Sequence, residues 1–180
     1  MAGAGDRHVE TASGARLVLG TLRGAEHEQL YSIFSDVVAT RDGYPQEPPL
    51  TREVFEATWV GPEVSVFGAR PPEGGRLLGA YYLKANFAPR AGHIANAGYV
   101  VEAGCRGRGV GRALVEDSIV RAPSLGFRAI QFNLVFASNP ARKLYEELGW
   151  REIGRIPDAV DGEEAVIYWR AVTESESTPT

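Results

Sequence analysis

A chain of 180 residues with 19 Lys and Arg against 23 Asp and Glu carries a net charge of −4, which excludes general affinity for nucleic acid or anionic membrane. At 44% apolar and 23% charged residues it reads as one globular domain with a sizeable core, not a disordered chain. One cysteine, Cys105, rules out an internal disulfide framework and a thiolate zinc site, and His8, His27 and His93 are scattered, so no metal is expected. The start lacks the apolar core of a signal peptide, and no stretch approaches the roughly 18 apolar residues of a membrane span, so a cytoplasmic protein is expected.

Residues 1–15 are small, polar and glycine-rich and read as a flexible arm. The tail 173–180 has no apolar residue and reads as disordered. Between them, 16–172 form the body. Arg16 to Leu22 is a predicted strand. From Gly24, Leu30, Ile33, Phe34, Val37 and Val38 fall on one helical face. Asp42-Gly43 and the prolines 45, 48 and 49 end that helix in the loop DGYPQEPP. Thr51 caps a short helix reaching Trp59. Val64 to Arg70 and Leu77 to Asn86, joined by the turn PPEGG, form a predicted hairpin. Ile94 to Val101 is a strand, Val110 to Arg121 a helix, and Arg128 to Val135 a strand with two unlike faces. Asn139 and Pro140 start a helix that ends at Gly149. Strands near Trp150 to Arg155 and Ala165 to Arg170 finish the body. The order β-α-α-β-β-β-α-β-α-β-β predicts an α/β (α+β) fold, a mixed sheet with helices packed on it.

The stretch CRGRGVGRALVE, 105–116, carries the chemistry. A strand runs into glycines at 107, 109 and 111 and then into a helix. Glycines at alternate positions let backbone N–H groups converge, and the helix N-terminus adds partial positive charge, a combination suited to a phosphate or pyrophosphate. Arg106, Arg108 and Arg112 add charge. The spacing fits neither GxxxxGK[ST] nor GxGxxG. The plain alternative is a glycine-rich connection with solvated arginines.

Arg106-x-x-Gly109-x-Gly111 resembles the acyl-CoA loop, [RQ]xxGxG/A, of the GCN5-related N-acetyltransferase (GNAT) superfamily. Residues 139–150, NPARKLYEELGW, are similar to the later helix of that superfamily. They keep A-x-x-x-Y-x-x-x-G-W, with an asparagine at the head. The resemblance spans nearly the whole body. It implies a GNAT fold: a mixed sheet of about seven strands, helices on both faces, and the strands 94–101 and 128–135 splayed apart around the pantetheine of acetyl-CoA. A backbone N–H near Val100 or Val101 would polarise the thioester carbonyl. The amides of Arg106, Gly107, Arg108, Gly109, Val110 and Gly111, with Arg112 beside them, would hold the pyrophosphate. Tyr145 is the implied proton donor to the departing thiolate, its alternative being a core aromatic. Asn139 caps its helix on the sequence signal alone, and the resemblance implies that it also contacts the pantetheine arm.

No Asp or Glu lies within Ile94 to Val101, so the general base is left open: the polar residues there are Asn96, Tyr99 and, just upstream, His93, and Asn96 is no base but can orient the amine or a water. Asn96, Asn133 and Asn139 resemble the arrangement in fungal acetyltransferases of L-azetidine-2-carboxylate and proline analogues. That likeness implies that Asn96 and Asn133 line the amine and carboxylate site, with Asn133 also near CoA. Tyr44, Trp59, Tyr81 and Tyr82 either wall that pocket or belong to the core. The expected function is transfer of an acetyl group to the amine of a small molecule, with no nucleic-acid or membrane partner and a homodimer left open. Two alternatives remain: an acetyltransferase of proteins or peptides, and a non-catalytic acyl-CoA sensor.

Overall fold

The computed structural model describes residues 5–41 and 43–173; the predicted tail beyond Thr173 lies outside them. The elements are β1 (Arg7–Glu10), β2 (Arg16–Thr21), α1 (Glu26–Ala39), α2 (Arg52–Trp59), β3 (Ser65–Arg70), β4 (Gly79–Ala85), β5 (Ile94–Val101), α3 (Val110–Arg121), β6 (Ala129–Phe136), α4 (Ala141–Glu147), β7 (Arg151–Val160) and β8 (Glu163–Ala171). The strands form one sheet in the order β1-β2-β3-β4-β5-β6-β8-β7. Every ladder is antiparallel except β5 to β6. This is the mixed GNAT-type fold that the sequence predicts, with one strand more among the described residues.

The extra strand is β1, inside the segment expected to be an arm. Residues 7–10 alternate half-buried and exposed and pair with Leu19 to Arg16 of β2. What anchors them is a charge that the sequence does not advertise: Arg7 reaches the carboxylate of Asp117 on α3. Asp117, 1% exposed, also accepts from Arg121 Nε and the Tyr81 hydroxyl, both at 2.7 Å. Arg121, 2% exposed, donates onward to the Leu19 carbonyl at 2.9 Å.

Alternation along the strands sends successive side chains to opposite faces. Tyr81, Tyr99, Ile130 and Phe132 meet α3 and α4 on one face, while Ala80, Tyr82 and Val100 meet α1 and α2 on the other. The gap that matters lies between β5 and β6. They pair only through Ile94, Ala95 and Asn96 against Ala129, Ile130 and Gln131. Beyond that point β5 stays with β4, and β6 stays with β8 across a bulge between Phe132 and Val135. An extra residue bends a strand and raises its twist, so the bulge carries β6 away from β5.

Candidate functional site

A cavity of about 510 Å³ fills this splay. Its walls include Val100, Val101, Arg106, Gly107 and Gly111 near the glycine loop, and Phe132, Asn133, Asn139 and Tyr145 on the opposite side. Asn96, Gly98, Tyr44, Gln46 and Tyr82 line its end on the α1–α2 face. Most of the residues expected at a site are thus gathered around one space.

Hydrogen bonds fix which main-chain groups face that space. The Ile94 carbonyl accepts from Asn86 N–H and the Glu102 N–H donates to Leu78, both at 2.9 Å, so even-numbered residues of β5 turn toward β4. The His93 carbonyl accepts from Arg128 N–H at 2.8 Å on the other side. With alternation, Ala97 closes the ladder with its N–H, and beyond it the Ala97 C=O and the main-chain groups of Tyr99 and Val101 turn to the gap. Val101 therefore presents an amide there. Val100, expected as an equal candidate, gives its N–H to the β4 side, and Tyr99 takes its place.

At the glycine loop, Gly107 and Gly109 adopt φ of 73° and 82°, the left-handed conformation that lets the chain enter α3. The first-turn amides Val110, Gly111 and Arg112 have no acceptor within the helix, so they remain available to an anion. Gly109 is also pressed by the N-terminal segment: a Cβ there would lie 2.7 Å from Thr11 Cβ. Ser13 Oγ donates to the Arg108 carbonyl at 2.9 Å, so the same segment braces the loop. Arg106 lines the cavity, and Arg108 is exposed on the loop. Arg112 differs from expectation: its guanidinium pairs with Glu147 and, at 3.6 Å, with Glu116. Arg112 thus ties α3 to α4. Cys105 is buried beside Arg76, and burial raises its thiol pKa, which keeps it a filler and not a nucleophile.

Tyr145 is packed against Phe132, Trp150 and Tyr168 while still reaching the cavity. The packing is that of the core aromatic, and the same ring also forms part of the cavity wall, where the proton-donor role expected of it would be exercised. Burial pushes its phenol far above the ordinary range, so it stays protonated at neutral pH and has a proton to give. Asn139 Oδ1 accepts from Ala141 N–H at 2.9 Å, which caps α4. Its Nδ2 points toward Gly43, 3.5 Å from where a Cβ would stand, so the loop after α1 closes over the gap from above.

The amides sit lower. Asn96, at the point of divergence, accepts from the Tyr82 hydroxyl at 3.0 Å and donates to the Gln131 carbonyl at 3.1 Å. Asn133 pairs reciprocally with Asn86 at 3.0 and 2.6 Å and accepts from Gln131 Nε2 at 2.9 Å. Tyr44 and Tyr82 join the wall, whereas Trp59 and Tyr81 belong to the core.

Three features were not foreseen. The Tyr44 hydroxyl donates to the Tyr99 carbonyl at 3.1 Å, on the free edge of β5. Gln46 Oε1 lies buried in the cavity with no partner among the described residues, an acceptor awaiting a donor. Gly98 makes room for both phenols, since a Cβ there would lie 2.6 Å from Tyr82 Cε1 and 2.7 Å from Tyr44 Oη. The crowding of DGYPQEPP with prolines was the available signal, because a stiff loop holds its tyrosine and glutamine in place. Gly98→Val should leave acetyl-CoA affinity intact but displace both tyrosines. Acceptor kcat/KM is expected to fall by at least ~10-fold and stability by about 1–3 kcal/mol, the usual cost of overpacking. Steady-state kinetics and a urea melt measure the two.

Comparison with known proteins agrees with this architecture. The family model described as acetyltransferase (GNAT) family matches residues 28–150. N-acetyltransferase aca1 of Schizosaccharomyces pombe is 43% identical over 84 residues, covering 46% of this chain and 40% of aca1. The match thus spans less than half the length of that curated relative. A GCN5-related N-acetyltransferase from Kribbella flavida superposes with a TM-score of 0.80 at 33% identity, over 87% of this chain and 98% of that one. A GNAT superfamily phosphinothricin acetyltransferase, Pat, from Sinorhizobium meliloti, solved in complex with AcCoA, shares the fold at a TM-score of 0.75 and 19% identity, over 91% of this chain and 93% of that one. With its splayed strands, its glycine loop and this family match in agreement, the chain belongs to the acetyltransferase (GNAT) family.

Proposed function

We propose that the protein moves the acetyl group of acetyl-CoA to the amine of a small molecule of the amino acid or proline-analogue type. The observation that carries this reading is the continuity of one cavity from the anion-binding loop, through the strand gap, to a polar end under the loop after α1. The unsatisfied amides opening α3 and the free edge of β5 fit a pyrophosphate followed by an amide-bearing arm. Relatives named as acetyltransferases, one of them holding AcCoA, support the donor. The reading of the acceptor rests on Asn96 and Asn133.

Acetyl-CoA supplies the acetyl thioester; the amine's lone pair forms the C–N bond as the C–S bond breaks, and the thiolate takes up a proton. This chain's part is to orient and to move protons. The Tyr99 and Val101 amides, open to the gap, would donate to the thioester carbonyl oxygen and stabilise the negative charge that gathers on it without reorganising. Gln46 Oε1 and Asn96 would hold the amine, which must shed a proton before it attacks. No carboxylate or imidazole is among the described residues lining the cavity, so water carries that proton in this reading. Tyr145, protonated and facing the cavity, would donate to the thiolate.

Tyr145→Phe should lower kcat by ~100-fold or more, the scale of a single general acid, with little change in the acetyl-CoA KM. Because burial raises its pKa, the phenol keeps its proton as pH rises, so it should impose no fall in kcat below about pH 10. A kcat equal to that of the parent returns Tyr145 to packing alone.

Thiol release measured with acetyl-CoA tests the whole reading. The panel is the proteinogenic amino acids, L-azetidine-2-carboxylate, the carboxamides of both sets, simple amines and a peptide N-terminus. Turnover on a small amine is expected. Turnover confined to the peptide would make the protein a peptide acetyltransferase. The cavity lining favours one other reading, since a site without a titratable base suits an acyl-CoA sensor; tight acetyl-CoA binding with no turnover would establish it.

A further inference from the structure

The turn that joins β1 to β2 stands against the loop that opens α3. Residues 11–15 close on themselves: Thr11 N–H donates to the Ala15 carbonyl at 2.9 Å, Gly14 N–H to the Thr11 carbonyl at 2.8 Å, and Ala15 N–H to Thr11 Oγ1 at 3.1 Å. Thr11 Oγ1 and Ser13 Oγ lie 2.9 Å apart. A serine hydroxyl has one proton, and that of Ser13 goes to the Arg108 carbonyl, so Thr11 is the donor to Ser13. A one-way chain thus runs from the Ala15 amide through two hydroxyls to the Arg108 carbonyl. The same hairpin is fastened to α3 a second time, where Arg7 meets Asp117.

What this chain fixes is the direction of a peptide plane. In a trans peptide the C=O and the following N–H point opposite ways. Holding the Arg108 carbonyl at the turn therefore aims the Gly109 N–H away from the turn. Glycines on either side supply no such restraint. Gly107 and Gly109 have φ of 73° and 82°. Flipping the plane would take Gly109 from positive to negative φ, and glycine adopts both signs readily. Thr11 adds a close contact, since a Cβ on Gly109 would lie 2.7 Å from its own Cβ. Among the described residues nothing accepts from the Gly109 N–H, so this donor is left for a ligand.

We infer that Ser13 and Thr11 are positioning residues of the acetyl-CoA site, holding the Arg108–Gly109 peptide so that the Gly109 N–H is presented to the diphosphate. Both act through the peptide plane. The inference rests on the glycine loop as the diphosphate site and extends that site to the β1–β2 turn. It depends on neither the acceptor nor turnover, so binding alone tests it.

The experiment is calorimetry of acetyl-CoA with the parent, Ser13→Ala, Ser13→Thr and Thr11→Val, joined to amide spectra of isotope-labelled protein. Ser13→Ala should weaken binding by ~3- to 10-fold, the worth of one hydrogen bond. Ser13→Thr keeps the hydroxyl and should restore parent affinity. Thr11→Val keeps the shape against Gly109 but breaks the chain, and should weaken binding in the same direction. In the parent, Gly109 should give one amide cross-peak that moves when acetyl-CoA is added. In Ser13→Ala that peak should be broadened or doubled before acetyl-CoA is added and single afterwards, as the ligand selects one orientation. Urea melts that coincide with the parent's show that the fold is intact. Parent-like affinity in Ser13→Ala would overturn the inference, as would weaker affinity with an unchanged Gly109 peak, or an equal loss in Ser13→Thr. A parent that does not bind acetyl-CoA would sink the diphosphate loop itself and this inference with it, whereas a parent that binds no better than Ser13→Ala sinks the inference alone.

Discussion

Gly111→Asp is expected to weaken acetyl-CoA binding by at least ~100-fold while the protein melts like its parent. Residue 111 is the second of α3, where first-turn amides lack intrahelical acceptors. A Cβ there would meet only Val101 Cγ2, at 3.6 Å, which is ordinary contact, so the first added carbon fits without displacing a neighbour. An aspartate in the first turn of a helix even favours the helix dipole. What it opposes is a second anion at the same amides, and Coulomb repulsion at close range in a partly enclosed site is worth a few kcal/mol. Gly109 is the weaker choice for this test, because its positive φ and the proximity of Thr11 would mix a folding defect with the electrostatic one. Gly111→Ala serves as the neutral control and should lose little affinity. Calorimetry of acetyl-CoA binding gives the answer, and a parent-like dissociation constant for the aspartate variant would remove the pyrophosphate from this loop.

Asp117→Ala should cost about 3–5 kcal/mol, the range for breaking a buried ion pair from one side. The carboxylate is the shared acceptor of Arg121, Tyr81 and Arg7. Its loss leaves a guanidinium 2% exposed to water without its counter-charge, and a phenol without an acceptor. For a domain of this size the midpoint is expected to drop by about 10 °C. Because Arg7 is one of the three partners, amides of β1 should also exchange with solvent faster than those of β3 or β4 in this variant. Urea unfolding and hydrogen exchange check both statements. A melting curve matching the parent's would mean that the network adds nothing to stability.

How far the sequence could be read follows from where its signals lie. Local signals were faithful: the i, i+3, i+4 pattern of Leu30 to Val38 is the buried face of α1, and Thr51 does cap α2 by accepting from Val54 N–H. Gly149, with φ of 85°, ends α4 as its position promised. Long-range partners left no such trace. Nothing in RHVE says that its arginine will meet an aspartate more than a hundred residues away, so β1 was read as part of an arm. Asp117 and Arg121 are spaced like a surface pair, and only the packing of α3 on Tyr81 shows that they are interior. At the site, motif residues were legible because backbone chemistry fixes them, as in the glycine loop. Gln46 was not, since it belongs to the cavity only through the fold, and Tyr44 stood among four aromatics with nothing local to say which would wall the pocket. Val100 and Tyr99 could be told apart only by strand parity, which needs a hydrogen-bond register that no sequence displays.

The union of β5 with β6 through a few residues has a consequence for ancestry. Tyr44, Gln46 and Asn96 lie upstream of that seam together with the Tyr99 and Val101 amides and the glycine loop, while Asn133, Asn139 and Tyr145 lie downstream. Recombination between relatives at the turn preceding Arg128 would therefore take one wall of the cavity from each parent. Hybrids joined at this seam should work only where the two inherited walls still match across the splay.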